Sequence, residues 1–238
     1  MTGAPVLQPL GADLPIPTAT RRASNDWRET TGRLVIDWSV TADTLAYASL
    51  SRGYKGGGFN PPFDPVQFPS QKPDFAPEFV DALEIGTKNT LLDNTLQANF
   101  SAFLYDYTDM QVSKIVNRTS FNENTDAQIW GGEAELVFAP NASWVVNANL
   151  AYLNTEVKDF ESFDTRDPTA GRSDVTLLKD LSNASNCVAL LAPDVYAAQF
   201  GSPFTSCSAL GAAGVPITDG IAQNLDGNQL QNAPEWSL

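Results

Sequence analysis

The feature that most constrains this chain is strict two-residue alternation carried over segments longer than an ordinary soluble sheet uses. In "WVVNANLAYL" one face carries Trp144, Val146, Ala148, Leu150 and Tyr152, and the other Val145, Asn147, Asn149 and Ala151. Successive side chains of a strand point to opposite sides, so these are two different surfaces. In "QIWGGEAELVF" Trp130, Gly132, Ala134, Leu136 and Phe138 share one face while Glu133 and Glu135 share the other. "LVIDWSV" repeats the pattern, with Leu34, Ile36, Trp38 and Val40 set against Val35, Asp37 and Ser39. One surface is apolar with aromatic ends; the opposite one is amide and carboxylate. Strands of soluble sheets usually run about five or six residues, and several of these segments run well past that. Membrane barrels instead need about 9 to 11 residues per tilted strand, an apolar outer band with aromatic girdles, short turns at one end and long loops at the other.

The order of segments is that of an antiparallel meander, an all-β architecture. "TADT" turns "LVIDWSV" back into "LAYASLSRGYK". After the loop "NPPFDPVQFPSQKPDFAP" come "EFVDALEIGTKNTLL", a tight turn at Asp93 and Asn94, and "TLQANFSAFLYDYTDMQVSKIV". A loop "NRTSFNENTD" is expected before "AQIWGGEAELVF", and the turn "APNAS" leads into "WVVNANLAYLNTEVKDF". All the tight turns are expected at one end of the strands. In "FSAFLYDYTD" both faces are aromatic, so periodicity leaves the register of that strand open. From Phe160 to about Gln223 alternation stops in a stretch rich in Asp, Ser, Ala, Gly and Pro, and "NQLQNAPEWSL" reads as the start of a further strand.

Composition removes other classes. Lys and Arg number 14 against 28 Asp and Glu, a formal net charge of −14, so no basic footprint for nucleic acid exists. There is no histidine, and with it go the commonest zinc ligand and the commonest general base at neutral pH. Cys187 and Cys207 lack metal-ligand spacing and are read as one disulfide made in an oxidising compartment, against the alternative of two unrelated free thiols. The first twenty residues have neither a positive start nor a continuous apolar core, which is not the pattern of a signal peptide. No apolar run approaches the ~20 residues of a membrane helix.

The stretch "YKGGGFN" looks at first like a phosphate loop. That motif needs its lysine after the glycines and a helix behind it; here Lys55 precedes them, and Phe59, Asn60, Pro61 and Pro62 follow. The glycines Gly56, Gly57 and Gly58 are read instead as a bend where a strand reaches a rim, with Tyr54 and Phe59 near an external aromatic belt.

Four blocks in order carry a family resemblance: "LVIDWSVTADTLAYASLSRGYKGGGFN", "PEFVDALEIGTKNTLLDNTLQANFSAFLYDYTDMQV", "GGEAELVFAPNASWVVNANLAYLNTEVKDF" and "LQNAPEWSL". Together they resemble the barrel of TonB-dependent outer-membrane receptors, over Asp26 to Phe160 and Asn224 to Leu238. The resemblance implies a transmembrane barrel of about 22 strands, of which about seven are expected here, incomplete at both ends. It implies a bacterial outer-membrane location and uptake of a scarce ligand such as a ferric siderophore. A plug and a short N-terminal box, through which the TonB energy-transducing complex acts, are not recognised in these residues. On this reading residues 1–26 are an external loop or truncated lead-in, 27–160 barrel strands with short periplasmic turns, 161–226 a long extracellular loop, and 227–238 the start of the next strand.

Candidate sites follow. The ligand-binding candidates at the rim are Arg52, Tyr54, Lys55, Phe59 and Asn60. Arg52 and Lys55 suit an anionic ligand, or equally the anionic headgroups of outer-membrane lipid. The external segments 58–77, 117–126 and 159–226 are expected to line the entrance, because scaffolds place binding residues on loops. Glu133 and Glu135 lie about 7 Å apart by strand rise, within the roughly 5 to 10 Å of a glycosidase pair, but a polar lumen lining needs the same two residues. The acidic run with Asp159, Glu161, Asp164 and Asp167 lacks the pattern of an EF-hand loop, and a solvated loop is the simpler reading. No metal, cofactor or catalytic residue is expected. Two rivals remain: a soluble extracellular β-sandwich binding module, and a secreted carbohydrate-active enzyme using Glu133 and Glu135.

Overall fold

The computed structural model describes residues 6–9, 17–20, 23–63, 68, 70–180, 185–201 and 206–238. Its main body is one antiparallel sheet of seven strands in meander order. These are β1 (Gly32–Ser39), β2 (Thr44–Lys55), β3 (Glu78–Leu91), β4 (Leu96–Val116), β5 (Thr119–Asn141), β6 (Trp144–Lys158) and β7 (Trp236–Ser237). The sheet does not close on itself: β1 is its first edge and β7 its last. Pairing of the final segment is confined to Ala151 with Ser237 and Tyr152 with Trp236.

Register fixes the two faces, because residues directly opposite in an antiparallel pair share a side. One row reads Leu34, Leu50, Leu83, Leu104, Trp130 across five strands; the next reads Ile36, Ala48, Ile85, Ala102, Gly132, Tyr152. This apolar face is bare: Ile36 is 63% exposed, Trp38 66%, Leu50 54% and Ile85 53%. A contiguous apolar surface of this breadth is not left to water by a soluble monomer. Aromatic side chains mark both ends of it, with Trp130, Tyr152 and Trp236 in successive ring contact at 5.5 and 4.9 Å on one side and Phe138 and Trp144 towards the other. One row beyond Leu34, Leu50 and Leu83 the face turns polar at Arg52, Asp81 and Asp106.

The opposite face carries Asp37, Tyr47, Ser101 and Glu133 in one row and Lys88, Asn99, Glu135 and Asn149 in another. It also takes the second aromatic set of β4. Phe103 stacks on Tyr105 at 4.9 Å, and Tyr47 donates to Glu84 at 2.6 Å. The rings lie flat over glycines: a Cβ at Gly86 would come within 2.6 Å of the Tyr47 ring, and one at Gly131 would strike Phe103 and the Tyr152 carbonyl. That settles the strand whose two faces are both aromatic, with Phe100, Ala102 and Leu104 on the apolar side.

Three expectations change. The segment 117–126 is not a loop: β4 and β5 run on as one hairpin, paired to Val116 and Thr119 around a two-residue turn at Asn117 and Arg118. Both turn residues have positive φ, 47° and 70°, the geometry that matches strand twist in tight hairpins. Consequently not all tight turns share an end; Val40 to Asp43, Leu92 to Thr95 and Ala142 to Ser143 do, and Asn117 to Arg118 lies opposite. The third change concerns the stretch after Phe160, which is folded. It contains a three-stranded sheet of Thr176–Asp180, Ser185–Ala189 and Ile217–Thr218, and two short helices, α1 (Pro193–Phe200) and α2 (Cys207–Ala212). Pro193 opens α1 where its missing N–H costs nothing, and Ser206 caps α2 by accepting from Ala209 N–H at 3.3 Å. Leu178, Cys187, Ala189, Tyr196, Cys207 and Leu210 form its buried core, each large side chain contributing roughly 1.5 to 3 kcal/mol gross.

Candidate functional site

The folded stretch, the 56–77 loop and the far end of the β4–β5 hairpin come together at the loop end of the sheet. They cover its polar face there, burying Phe121, Thr125, Ala127, Thr155 and Val157. Phe63, Phe68, Phe121, Val116 and Phe163 pack into a second small core beneath them. Side-chain clamps complete the roof. The Asn60 amide donates to Asn122 O at 2.9 Å and accepts from Asn122 N–H at 2.8 Å, so it pairs with β5 as another strand would. Asn117 does the same to Asn186, 2.7 Å in both directions. The buried carboxylate of Asp219 accepts from the Ser70 hydroxyl and from Gln71 Nε2 at 2.8 Å. Lys114 pairs with Glu123 at 2.5 Å, donates to Ser162 at 3.1 Å and lies 4.3 Å from the Phe163 ring centre.

Beside this roof opens a cleft of about 670 Å³, walled by Trp27, Lys72, Asp74, Asp109, Glu123 and Phe160 among others. Its size falls in the range of small-molecule sites. Lys72 is the one basic side chain among the described lining residues, which also include Asp74, Asp109, Glu123, Asp159 and Glu161. Glu123 is neutralised by Lys114. Aromatic surfaces and carboxylates together suit a ligand that offers hydrogen-bond donors and an apolar body.

The ligand-binding candidates named from the sequence do not line this cleft, whereas Asp159 and Glu161 of the acidic run do. Arg52 lies on the apolar face, bonded to Asp81 at 2.9 Å and 4.9 Å from the Phe79 ring centre. Tyr54 follows it on that face and packs on Phe79 at 5.4 Å. Lys55 is on the polar face, 3.6 Å from Glu78. Phe59 sits 6.1 Å from Trp27, a cleft residue, and Asn60 is buried in its clamp. Gly57 and Gly58 are required by close approach, since a Cβ on either would meet Phe75. Cys187 and Cys207 are joined by a disulfide inside the roof core. The acidic run is dispersed: Arg166, hydrogen-bonded to Asp164, holds that carboxyl below its ordinary range, while Asp167 accepts from Thr169 and Gly171. No group of three metal-binding side chains forms among the described residues. Glu133 and Glu135 stand on the open polar wall, Glu135 accepting from Asn99 at 3.3 Å. Asp74 and Phe160 lie in the segments 58–77 and 159–226 expected at the entrance, whereas Trp27 and Asp109, the latter brought in by the bulge, carry no sequence signal.

A family described as "TonB dependent receptor-like, beta-barrel" matches residues 11–238. Among solved structures, the chain is similar to the ferric yersiniabactin uptake receptor FyuA from Yersinia pestis, at 22% identity and a TM-score of 0.49, over 60% of this chain and 21% of that one. It is similar to the ferric-catecholate import receptor Fiu from K12 E. coli, at 14% identity and 0.47, over 76% and 24%. The siderophore receptor PiuA from Acinetobacter baumannii matches at 18% and 0.43, over 67% and 28%. The chain thus spans between 21% and 28% of the length of these structures.

Proposed function

Because the chain belongs to the TonB-dependent receptor-like β-barrel family and is an outer-membrane protein, we propose that it builds part of the wall and roof of a ligand importer. The observation that carries this reading is the two-faced sheet, apolar and bare on one side, polar on the other, and roofed at one end only. In that frame the short turns at 40–43, 92–95 and 142–143 are periplasmic and the roof is extracellular. The cleft by Trp27 and Phe160 is the ligand's first contact, with Lys55 and Phe59 at its margin. Arg52 and Tyr54 serve the lipid boundary, where a charge and a phenol meet headgroups.

The ligand class is a scarce nutrient such as a ferric siderophore, and covalent catalysis plays no part. Work is supplied by the TonB complex through a plug and N-terminal box lying outside these residues. The polar wall with Glu84, Glu133 and Glu135 faces the lumen. Transport is tested in the full-length receptor: a deletion strain starved of iron should lose uptake of a labelled ferric siderophore from a panel, and regain it with the intact gene. Unchanged uptake of every panel member would reject the iron-chelate class.

A further inference from the structure

We propose that the cleft selects its ligand by charge: it takes an organic cation, an ammonium or other positive group carried on an apolar body, and turns polyanionic chelates away. This rests on the reading of the cleft as the ligand's first contact and narrows the class of ligand that enters there.

The walls supply the two things an organic cation needs. Trp27, Phe75 and Phe160 line the cleft, and a positive group is drawn to the face of such a ring, to tryptophan most of all. Two of these rings are held in place by bare backbone. The Trp27 indole lies against Gly57, where a Cβ would come within 2.9 Å of it, and the Phe75 ring lies against Gly58 in the same way. A side chain at either glycine would displace the ring beside it, so the triple glycine serves the aromatic wall. The same walls carry Asp74, Asp109, Asp159 and Glu161, acceptors for the charge-assisted hydrogen bonds of an ammonium.

Elsewhere in the roof, carboxylates have cations of their own. Asp164 pairs with Arg166 at 3.2 Å, Asp174 with Arg172 at 2.6 Å, and Glu123 with Lys114. Among the described residues no ion pair joins Asp74, Asp109, Asp159 or Glu161 to a cation. With Glu123 matched, four carboxylates stand against one lysine in the described walls. An anion entering the cleft finds only Lys72 in its favour. The two cations that the sequence offers at the rim are engaged elsewhere, Arg52 with Asp81 on the apolar face and Lys55 with Glu78.

A charge series on one chelate scaffold tests this, with the full-length receptor purified in detergent and binding read by titration calorimetry. The probes are the ferric complex of a linear trihydroxamate that ends in a primary ammonium, the same complex with that amine acetylated, which is neutral, and with it succinylated, which is anionic. Affinity should fall in the order cationic, neutral, anionic, by roughly tenfold or more between the ends. Asp109→Asn should narrow that ratio to about threefold; asparagine also keeps the left-handed backbone that Asp109 adopts, with its φ of 54°. Asp174→Asn removes the same charge from the roof outside the cleft and should leave the ratio unchanged. Equal affinities, the reverse order, or no binding by any member would overturn the proposal, as would equal effects of the two substitutions. The series on the unaltered receptor decides the matter even where Asp109→Asn does not fold. Uptake is measured separately: a lost charge order with iron-chelate uptake intact defeats this inference alone, and a kept charge order without uptake defeats the transport reading alone.

Discussion

The wall and the roof are held together by opposite means. In the wall the ladder of backbone hydrogen bonds is long and regular, and large apolar side chains stand bare: Leu34, Ile36 and Trp38 lie in strand β1, where every residue is exposed. In the roof, outside the end of the β4–β5 hairpin, the strands have five residues or fewer, and stability comes from two small buried cores, a disulfide and amide clamps. The difference is one of solvent. A segment with lipid on one side must satisfy its backbone through its neighbours and gains nothing by hiding its apolar groups. A segment in water must bury them, and here it does so with little chain and a covalent staple.

That contrast breaks most completely in isolation. Residues 1–238 expressed alone leave the edge of β1 unpaired, and an open edge does not survive in lipid, nor a bare apolar face in water. Size-exclusion chromatography without detergent should find oligomers or precipitate; a sharp monomer peak that unfolds cooperatively would favour the soluble sandwich. Within the full-length receptor, Leu150→Arg should cost about 2 to 4 kcal/mol near the bilayer midplane while its neighbour Asn149→Arg is close to neutral. Asn149 lies opposite Glu135, so the new cation gains a carboxylate. Folding into lipid vesicles against urea measures both, and equal losses would deny the two faces.

The roof has its own weak point. Reduction of Cys187–Cys207, which spans 20 residues, should remove roughly 3 kcal/mol in the chain-entropy model. The loss should be confined to exchange protection in 176–217, leaving the wall's untouched. Gly131→Ala should act the other way round, costing the wall about 1 to 3 kcal/mol through overpacking against Phe103 and the Tyr152 carbonyl, with no change in the roof. The smallest effect is expected at Arg52→Ala. Its ion pair with Asp81 is about half exposed, 48% and 58%, and such pairs contribute roughly 0 to 1 kcal/mol. A larger loss in vesicle folding would mean that Arg52 holds lipid or ligand as well as Asp81.

What could be read from sequence divides along the same line. Alternation in "WVVNANLAYL" and "QIWGGEAELVF" records two solvents, so the faces, the meander and the seven strands were legible residue by residue. It failed in "FSAFLYDYTD" because Phe103 and Tyr105 are aromatic on the polar side, accommodated by Gly131 on the facing strand. It failed again in "NRTSFNENTD", because beyond the apolar band no lipid face imposes a period, the inward Phe121 meets the roof's own small core, and a polar hairpin looks like a loop. The roof left no period at all. Asn60 reads as a rim contact until its partner Asn122, 62 residues away, is known, and Asp219 finds Gln71 at a separation of 148. Most of the cleft's lining falls in the segments 58–77, 117–126 and 159–226 expected at the entrance; what the sequence did not show is that they meet Trp27 and the bulge at Asp109 around one cleft.

The central claim is that the apolar face of the sheet meets lipid. Its most direct test is a nitroxide scan of residues 146–151 on β6 in the full-length receptor, reconstituted in vesicles with the native disulfide intact. Collision rates with oxygen, which concentrates in lipid, and with a water-soluble nickel chelate are compared at each position. The prediction is a period of two: high oxygen and low nickel accessibility at Val146, Ala148 and Leu150, and low oxygen accessibility at Asn147, Asn149 and Ala151. Uniform accessibility, or alternation of the opposite phase, would contradict it.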